Sequence, residues 1–387
     1  MGGLTRKTGA WAAGAALAVG AGTAGVVLAV AGGGSGPGGA GSGAAAAGAV
    51  KPAPLRVVSI TPASGASAVN GAGGITVTYN QPLPATAPLP ALSPAVAGSW
   101  RRAGDAAVFT PATGYPQGTH VTVTAGTGGS GTRSEASSFK TGAYRTLRLQ
   151  QVLAQLGYLP LTWTPAASGA AAGGAQAPGA ATVAGLTSPA AELSAAYAPP
   201  AGSFQWQPGY PARLRSFWVQ GKANMLDRGA ITGFEADHKL PPDGVAGPTV
   251  WKALLAAAAA GEKNTHGYSY AIASEHIPET LTIWHDGRKV FSSPANTGIG
   301  VAPTALGTYP VYLKLQFQVM SGTNPDGSHY ADPVSWVSYF NGGDAVHYFP
   351  RGSFGFPQSL GCVELPYTAA KQAYPYLPYG TLVTVIA

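Results

Sequence analysis

The sequence predicts a multidomain protein in which a β-sandwich and a small α-helical module precede a mainly-β C-terminal domain. With 387 residues, the chain is long enough for two or three domains. Short alternating apolar runs extend to about residue 142, helical spacing follows, and β-rich patterns return from Tyr268 onwards. Glycine and proline number 56 and 33, but they cluster in linkers, so the whole chain is not predicted to be disordered.

Residues 1–31 are typical of an export signal. Arg6 and Lys7 precede an uncharged stretch, and the small residues Ala29 and Ala31 resemble those of a cleavage site. The apolar run is longer than a usual signal core, so an uncleaved N-terminal membrane anchor stays open. In either case we expect the rest of the chain to be extracytoplasmic, in the cell wall or anchored to the membrane.

A Gly/Ala-rich stretch, residues 32–53, is predicted to be a flexible linker. Residues 54–142 then show the period-2 alternation of strands, separated by Gly, Pro and Asn turns. We interpret them as a β-sandwich that acts as a spacer, with His120 in a strand and not on a metal. The apolar positions of two strands are Ile75, Val77 and Tyr79, and Val121, Val123 and Ala125.

Residues 143–260 are predicted to form the helical module. Leucine and valine recur at helical spacing over 145–158, and Gly157 ends that helix. A low-complexity insert of Ala, Gly and Pro at about 165–201 has too little bulky apolar content to pack. A helix–loop–helix follows over 226–258.

The loop of this helix pair carries Asp-Gly-x-x-Gly-Pro-x-x-Trp. This pattern, from Asp243 to Trp251, resembles the mark of a peptidoglycan-binding helical module. The alternative is structural, because Asp-Gly makes a turn and Trp251 is suited to a core. Both interpretations stay open.

The C-terminal domain, residues 266–387, contains the only cysteine of the chain, Cys362, with His347 fifteen positions before it. A thiolate is a good acyl-transfer nucleophile, and an imidazole can deprotonate a thiol and reprotonate a leaving amine. Gly355 and Pro357 indicate a turning segment that could bring the two together. Gly361 leaves the backbone beside the sulfur uncluttered. A lone cysteine is often a small core residue, but an unpaired cysteine is unusual in an exported chain.

At these residues the sequence resembles the active-site signature of L,D-transpeptidases (YkuD-type), a histidine followed at this range by Ser/Thr-x-Gly-Cys. His347, Ser359, Gly361 and Cys362 fall on the motif. The resemblance covers about the last 120 residues. It extends to Gly/Thr-rich strand patterns and a hairpin turning at Asp286-Gly287. The β-sandwich resembles the Ig-like domains that precede many such domains.

Three positions depart from the commonest form of this signature. Leu360 stands where histidine is usual, and Tyr348 replaces a small residue after the first histidine. Glu364 stands where arginine or asparagine is usual and would reverse a charge near the site. We expect this reversal to affect substrate preference and not the reaction itself.

The resemblance implies a role for each matching residue. Cys362 would be the nucleophile, His347 the general base and acid, Ser359 a local support and Gly361 a backbone oxyanion donor. Residues 316–335 stand where the family carries a lid over the substrate groove. His329 lies there in a polar, Gly-rich loop and is a second, weaker base candidate. The predicted substrate-binding residues are Met320, Tyr330, Tyr348 and Glu364.

Other charged groups receive no chemical role from the sequence. In a strand, residues three apart point to opposite faces, so Asp344 would face away from His347, and a backbone carbonyl is the better partner for the imidazole. His266, His276 and His285 lack metal-ligand spacing, so we expect no metal site and no cofactor. The net charge of +7 fits an anionic wall or membrane surface, and no nucleic-acid motif is present.

The resemblance therefore implies a cell-envelope L,D-transpeptidase, an acyltransferase that crosslinks peptidoglycan stem peptides through a Cys362 thioester and releases D-alanine. We expect residues 54–260 to place the enzyme at the wall without taking part in the chemistry. Two alternatives stay open: a hydrolase or protein-to-wall ligase that uses the same site, and a wall-binding scaffold whose catalytic domain has lapsed.

Overall fold

The computed structural model describes residues 54–126, 134–166 and 188–387. The predicted signal or anchor, the linker 32–53 and most of the predicted insert lie outside the described residues. Within the described part of the chain, no helix is long and apolar enough to cross a membrane.

The described segments contain eighteen strands and six helices. The strands are β1 (Val57–Thr61), β2 (Ile75–Tyr79), β3 (Ala91–Ser93), β4 (Gly98–Ala103), β5 (Ala106–Pro111), β6 (His120–Gly126), β7 (Ser134–Lys140), β8 (Leu161–Pro165), β9 (Gly202–Trp206), β10 (Ser269–Ser274), β11 (Thr280–His285), β12 (Arg288–Pro294), β13 (Gly307–Pro310), β14 (Leu313–Thr323), β15 (His329–Asn341), β16 (Asp344–Tyr348), β17 (Val363–Leu365) and β18 (Leu382–Ile386). The helices are α1 (Thr146–Leu156), α2 (Pro189–Tyr197), α3 (Ala212–Arg215), α4 (Met225–Asp237), α5 (Pro248–Ala260) and α6 (Tyr367–Ala373).

The N-terminal strands form two antiparallel sheets around one core. One sheet has the order β1-β2-β5-β4 and the other β3-β6-β7. The predicted alternation is confirmed, because the apolar residues of β2 and β6 are buried in a common cluster with those of β5 and β7. His120 begins β6, as predicted.

The helical module is built on α1, α4 and α5. Gly157 ends α1 at the predicted position, with a φ of +85° that favours glycine. Asn224 caps α4 by accepting hydrogen bonds from the N–H groups of Leu226 and Asp227, and the Asp227 carboxylate completes a capping box. Pro248 opens α5, where its missing N–H costs no helical hydrogen bond.

The prediction that the low-complexity insert does not pack is wrong for its C-terminal part. Residues Pro189–Tyr197 form α2, which buries Leu193 and Tyr197 on one face at i, i+4 spacing. Alanine has the highest helix propensity, so two bulky side chains are sufficient for this helix to pack. A buried ion pair of 2.6 Å between Arg148 and Glu192 links α2 to α1.

Trp251, the aromatic residue of the loop pattern, lies in the core. Its side chain is 5 % exposed, and its ring meets that of Tyr144 edge-on at 5.0 Å. Asp243 makes the turn, since its carboxylate accepts the Val245 N–H at 2.8 Å, and Gly244 has a φ of +73°. The structural interpretation therefore holds for Trp251.

The C-terminal domain stacks two sheets, β12-β11-β10-β18-β13 and β14-β15-β16-β17, around a second core. The predicted hairpin is confirmed, since β11 and β12 join at Asp286 and Gly287, whose φ angles are +46° and +74°.

The predicted lid, residues 316–335, lies in a long β-hairpin, whereas the sequence around His329 indicates a polar, Gly-rich loop. Strands β14 and β15 pair continuously near the tip, from Val319 opposite Pro333 to Thr323 opposite His329. The alternation of β14 explains the difference, because Phe317 and Val319 are more exposed than the intervening Gln318. Only the tip, residues 324–328, is the polar turn that the sequence indicates.

The helical module and the C-terminal domain share one hydrophobic core. Tyr268, Tyr270 and Leu382 are buried in the same cluster as the apolar faces of α1, α4 and α5. The backbones also touch: a Cβ on Gly380 would lie 2.2 Å from the Gly229 carbonyl oxygen. The predicted boundary between residues 260 and 266 therefore separates two sequence regions whose side chains pack into one core.

We predict that Gly380→Ala destabilises the module and the C-terminal domain together. Gly380 has a φ of +82° and no room for a methyl group against α4. Gly261→Ala is the matched control, because Gly261 has a φ of +70° with nothing within 4 Å of its Cβ position. Both variants bear a conformational cost of about 1–3 kcal/mol for alanine at a positive φ. Because only Gly380→Ala also adds a steric clash, it should lower the free energy of unfolding, measured by heat or denaturant, more than Gly261→Ala does. Equal losses in the two variants would show that the backbone contact is unimportant.

Candidate active site

Cys362 and His347 line one groove of about 470 Å³ in the C-terminal domain. The hairpin of β14 and β15 forms one wall, and the segment that carries Cys362 forms the other. Further lining residues are Gln318, Met320, Tyr330, Asp332, Val334, Tyr339, Asp344, Phe349, Arg351, Gln358, Leu360 and Glu364.

The thiol is held by a tight turn that leads into β17. The Ser359 hydroxyl donates to the Cys362 carbonyl oxygen at 2.6 Å and accepts the Gly361 N–H at 3.2 Å. This short side chain therefore closes the turn from inside. Cys362 is half-buried at the groove and directly precedes the first residue of β17, Val363.

Gly361 is required by space as well as by conformation. Its φ is +114°, and a Cβ there would lie 2.6 Å from Oδ1 of Asp344. Its N–H already donates to Ser359, so the predicted oxyanion donor at Gly361 is engaged within the turn. That part of the prediction is corrected by the hydrogen bond, and the Cys362 N–H stays the predicted donor.

His347 is buried in β16, with 3 % of its surface exposed. Its Nδ1 lies 2.9 Å from the Tyr348 carbonyl oxygen. A carbonyl oxygen only accepts, so Nδ1 carries the proton and Nε2 is the basic nitrogen. The predicted backbone partner of the imidazole is thereby confirmed.

The Cys362 thiol and the His347 imidazole are both neutral in this arrangement. Burial raises the pKa of the Cys362 thiol to about 12, and the nearby carboxylates of Asp344 and Glu364 add to this rise. Burial lowers the pKa of His347. The thiol donates to the Gly343 carbonyl oxygen at 3.7 Å. This arrangement is a thiol beside a neutral imidazole and not a preformed thiolate–imidazolium pair.

Asp344 makes no contact with the imidazole within the described part of the chain. Its Oδ2 accepts from the Ala305 N–H at 3.3 Å and from the Asn341 amide at 3.2 Å, while Oδ1 lies against Gly361. Asp344 therefore ties the loop before β13 and the end of β15 to the cysteine turn. Sequence reasoning missed this position, because no local signal connects Asp344 with a glycine seventeen residues later.

Glu364 does not leave an uncompensated negative charge at the site. Its buried carboxylate accepts from Nε and Nη2 of Arg351 at 2.7 and 2.8 Å, a bidentate pair. The guanidinium also stacks on the Phe349 ring, 4.6 Å from its centroid. The predicted charge reversal is thus corrected, since Arg351 returns a cation to the groove. Sequence reasoning missed Arg351, because thirteen residues separate it from its partner.

The other predicted substrate residues divide between the groove and the core. Met320 and Tyr330 line the groove. Tyr348 does not: its ring packs edge-on against Tyr367 at 5.1 Å, because adjacent strand residues point to opposite faces and His347 occupies the groove side. His329 lies exposed near the hairpin tip, where Nδ1 is 3.3 Å from the Thr323 hydroxyl. The described residues contain no cluster of three His, Cys, Asp or Glu side chains suited to a metal ion.

Comparison with protein families finds a match within the C-terminal domain. Residues 270–385 match the YkuD family, the L,D-transpeptidase catalytic domain. The match includes the hairpin, His347 and the cysteine turn. Tyr268 of the shared core and the whole helical module lie before it.

Comparison with solved structures returns L,D-transpeptidases at low identity. The enzyme from Mycobacterium smegmatis is 16% identical and covers 87% of this chain and 100% of its own, with a TM-score of 0.29. L,D-transpeptidase 3 from Mycobacterium tuberculosis, in complex with a faropenem-derived adduct, is 16% identical over 86% of this chain and 98% of its own, with a TM-score of 0.29. The catalytic domain from E. faecium is 22% identical over 32% of this chain and 99% of its own, with a TM-score of 0.28. No curated protein matches the chain in sequence.

We predict that Cys362 of the transpeptidase domain is alkylated more slowly than a free thiol at pH 8. With a pKa of about 12, its thiolate population at this pH is far below that of an ordinary cysteine. Iodoacetamide labelling followed by intact mass should show a rate at least tenfold lower, which rises with pH beyond 9. The single cysteine makes the readout unambiguous.

Two variants test the electrostatic origin of this slow labelling. Asp344→Asn removes a charge that raises the thiol pKa, so its labelling should be faster than in the wild type. His347→Ala should leave the pH dependence nearly unchanged. Labelling that persists below pH 7 in the wild type and is lost in His347→Ala would show a preformed ion pair instead.

We predict that Arg351→Met destabilises the transpeptidase domain more than a double replacement does. The single change leaves the buried Glu364 carboxylate without its bidentate partner, at a cost of about 1.5–3 kcal/mol. Arg351→Met combined with Glu364→Met removes both charges and should recover most of the loss. The free energy of unfolding in denaturant is measured for the wild type, Arg351→Met, Glu364→Met and the double variant, and these four values give the coupling energy of the pair. If the stability loss of the double variant equalled the sum of the two single losses, the two side chains would not act as a structural pair.

Proposed function

We propose that this protein is a cell-envelope L,D-transpeptidase that crosslinks peptidoglycan stem peptides. The observation that carries the proposal is the convergence of Cys362 and His347 on one groove within the YkuD match. The export signal predicted for residues 1–31 supports an extracytoplasmic location. The open groove along the hairpin suits an extended peptide.

In the proposed acylation step, the Cys362 sulfur attacks the carbonyl carbon that joins the third and fourth residues of a stem tetrapeptide. Nε2 of His347 takes the thiol proton as the S–C bond forms, since the resting thiol is neutral. The Cys362 N–H would donate to the oxyanion of the tetrahedral intermediate. His347 then gives the proton to the leaving amine, D-alanine departs and a thioester remains.

In the proposed second step, the side-chain amine of a diamino acid on a neighbouring stem attacks the thioester. His347 accepts a proton from the attacking amine and returns it to the sulfur, so the enzyme is regenerated and an amide crosslink is formed. No cofactor enters either step. The groove supplies Met320, Val334 and Phe349 as apolar surface and Arg351 as a hydrogen-bond donor to the peptide.

The test of this proposal compares His347 with its rival His329. General acid–base help is typically worth about 10²–10⁴-fold. His347→Ala should therefore lose the rate of acylation by a tetrapeptide donor by that order, whereas His329→Ala, on the hairpin tip, should lose far less. The rate is measured as gain of covalent adduct by intact mass, with Cys362→Ala as the blank.

Two results would overturn the assignment of these roles. One is the same adduct on Cys362→Ala, which would place the nucleophile elsewhere. The other is a large loss in His329→Ala with none in His347→Ala.

A further inference from the structure

A second cavity, of about 240 Å³, lies where the helical module meets the transpeptidase domain. The module contributes Tyr158 and Asp237, the connecting segment contributes His266, and the transpeptidase domain contributes Lys314 and Tyr379. The cavity shares no lining residue with the active-site groove. Because the module and the domain share a core, both walls are held by packed side chains.

Lys314 lies at the wall of this cavity and forms no ion pair with the Asp237 carboxylate on the opposite side. Its Nζ donates to the Tyr374 carbonyl oxygen at 2.8 Å and lies 3.9 Å from the centroid of the Tyr374 ring. No ion pair among the described residues includes Lys314. An ammonium has three N–H donors, so at least one stays available for a ligand when one donates to the carbonyl oxygen and one points at the ring face. Burial of this uncompensated charge lowers the pKa of Lys314 to about 8.

Asp237 is the carboxylate that lines the cavity, and each of its oxygens already has a partner. Asp237 accepts from the Tyr158 hydroxyl at 2.8 Å, and its other oxygen lies 3.2 Å from Nε2 of His266. The Tyr379 hydroxyl accepts the backbone N–H of Lys314 at 3.3 Å, and its own proton meets no acceptor in the described part of the chain. The side-chain donors left without an acceptor here are thus the Tyr379 hydroxyl and the Lys314 ammonium, which is charged. A ligand that complements them must accept hydrogen bonds and carry negative charge.

We propose that this cavity binds a small carboxylate ligand through the Lys314 ammonium and the Tyr379 hydroxyl. Two donors from one domain match the two oxygens of a carboxylate, and Tyr158, Pro375 and Pro378 offer apolar surface to its remainder. A water occupies about 30 Å³, so the volume suits a sugar acid or an amino-acid residue. Wall polymers present both kinds of carboxylate. A ligand here would contact the module and the transpeptidase domain at once.

The test uses the full chain with Cys362→Ala, so that binding is measured without acylation and independently of the proposed activity. Calorimetric titration compares N-acetylmuramic acid with N-acetylglucosamine, and N-acetyl-D-alanine with N-acetyl-D-alaninamide. In each pair, only the first compound carries a carboxylate. A charged hydrogen bond is worth about 1.5–3 kcal/mol, so each bound carboxylate should exceed its uncharged match by about tenfold or more.

Variants assign the binding to this cavity. Lys314→Met keeps the apolar stem over Tyr374 and should weaken binding by about tenfold. Tyr379→Phe should weaken it less. Lys371→Met is the matched control, because Lys371 lies 5.9 Å from the Trp336 ring centroid and does not line the cavity.

A pH series tests the charge of Lys314. This lysine faces Tyr374 and Tyr379 in its own domain, and Tyr158, Asp237 and His266 across the cavity. Its pKa of about 8 means that affinity should fall as the pH rises from 7 to 9, when the ammonium is lost. Lys314→Arg should bind without this fall, because arginine stays protonated.

Each outcome of the titrations decides the proposal. Binding of N-acetylmuramic acid alone supports a sugar carboxylate, binding of N-acetyl-D-alanine alone supports a peptide carboxylate, and binding of both supports recognition of the carboxylate itself. No binding of either acid at millimolar concentration would overturn the proposal. So would binding that Lys314→Met and Lys371→Met alter equally.

Discussion

The parallel pairing of β16 with β17 is the constraint on which the active site depends. It sets His347 opposite Glu364, so Cys362, two residues earlier, reaches the groove beside the same strand that carries the base. A slip of one residue would turn one of the two side chains to the other face. The same register brings the Glu364 carboxylate to Arg351, which fixes the segment between the strands. The pairing thus positions Cys362, His347 and Arg351 together at one groove.

The core that the helical module shares with the C-terminal domain also supports the larger of that domain's two sheets. Because Tyr270 of β10 and Leu382 of β18 belong to the same buried cluster as the helices of the module, one face of these two central strands is covered by the module. The module therefore acts first as part of the structure of the transpeptidase domain. Any wall-binding function comes in addition to this packing, and the junction cavity lies at the place where both would meet.

Local signals predicted much of the fold, and distant contacts account for what they missed. The end of α1 at Gly157, the turn at Asp286 and the strand faces of β2 and β6 follow from backbone preference and periodicity, so the sequence predicted them. The pairing of Arg351 with Glu364, the contact of Asp344 with Gly361 and the shared core arise only when distant segments meet. The strands that flank the hairpin tip were missed because the polar tip resembles a loop, and α2 was missed because alanine carries little periodic pattern.

The fate of the thioester tests most directly whether this protein is a transpeptidase. Intact mass is followed after a stem tetrapeptide donor is added, and again after a diamino-acid stem is supplied as the acceptor. We expect one adduct of the donor minus D-alanine on Cys362, which the amine discharges into a crosslinked product while the enzyme returns to its original mass. An adduct that water discharges at the same rate with or without the amine would contradict transpeptidation and identify a hydrolase.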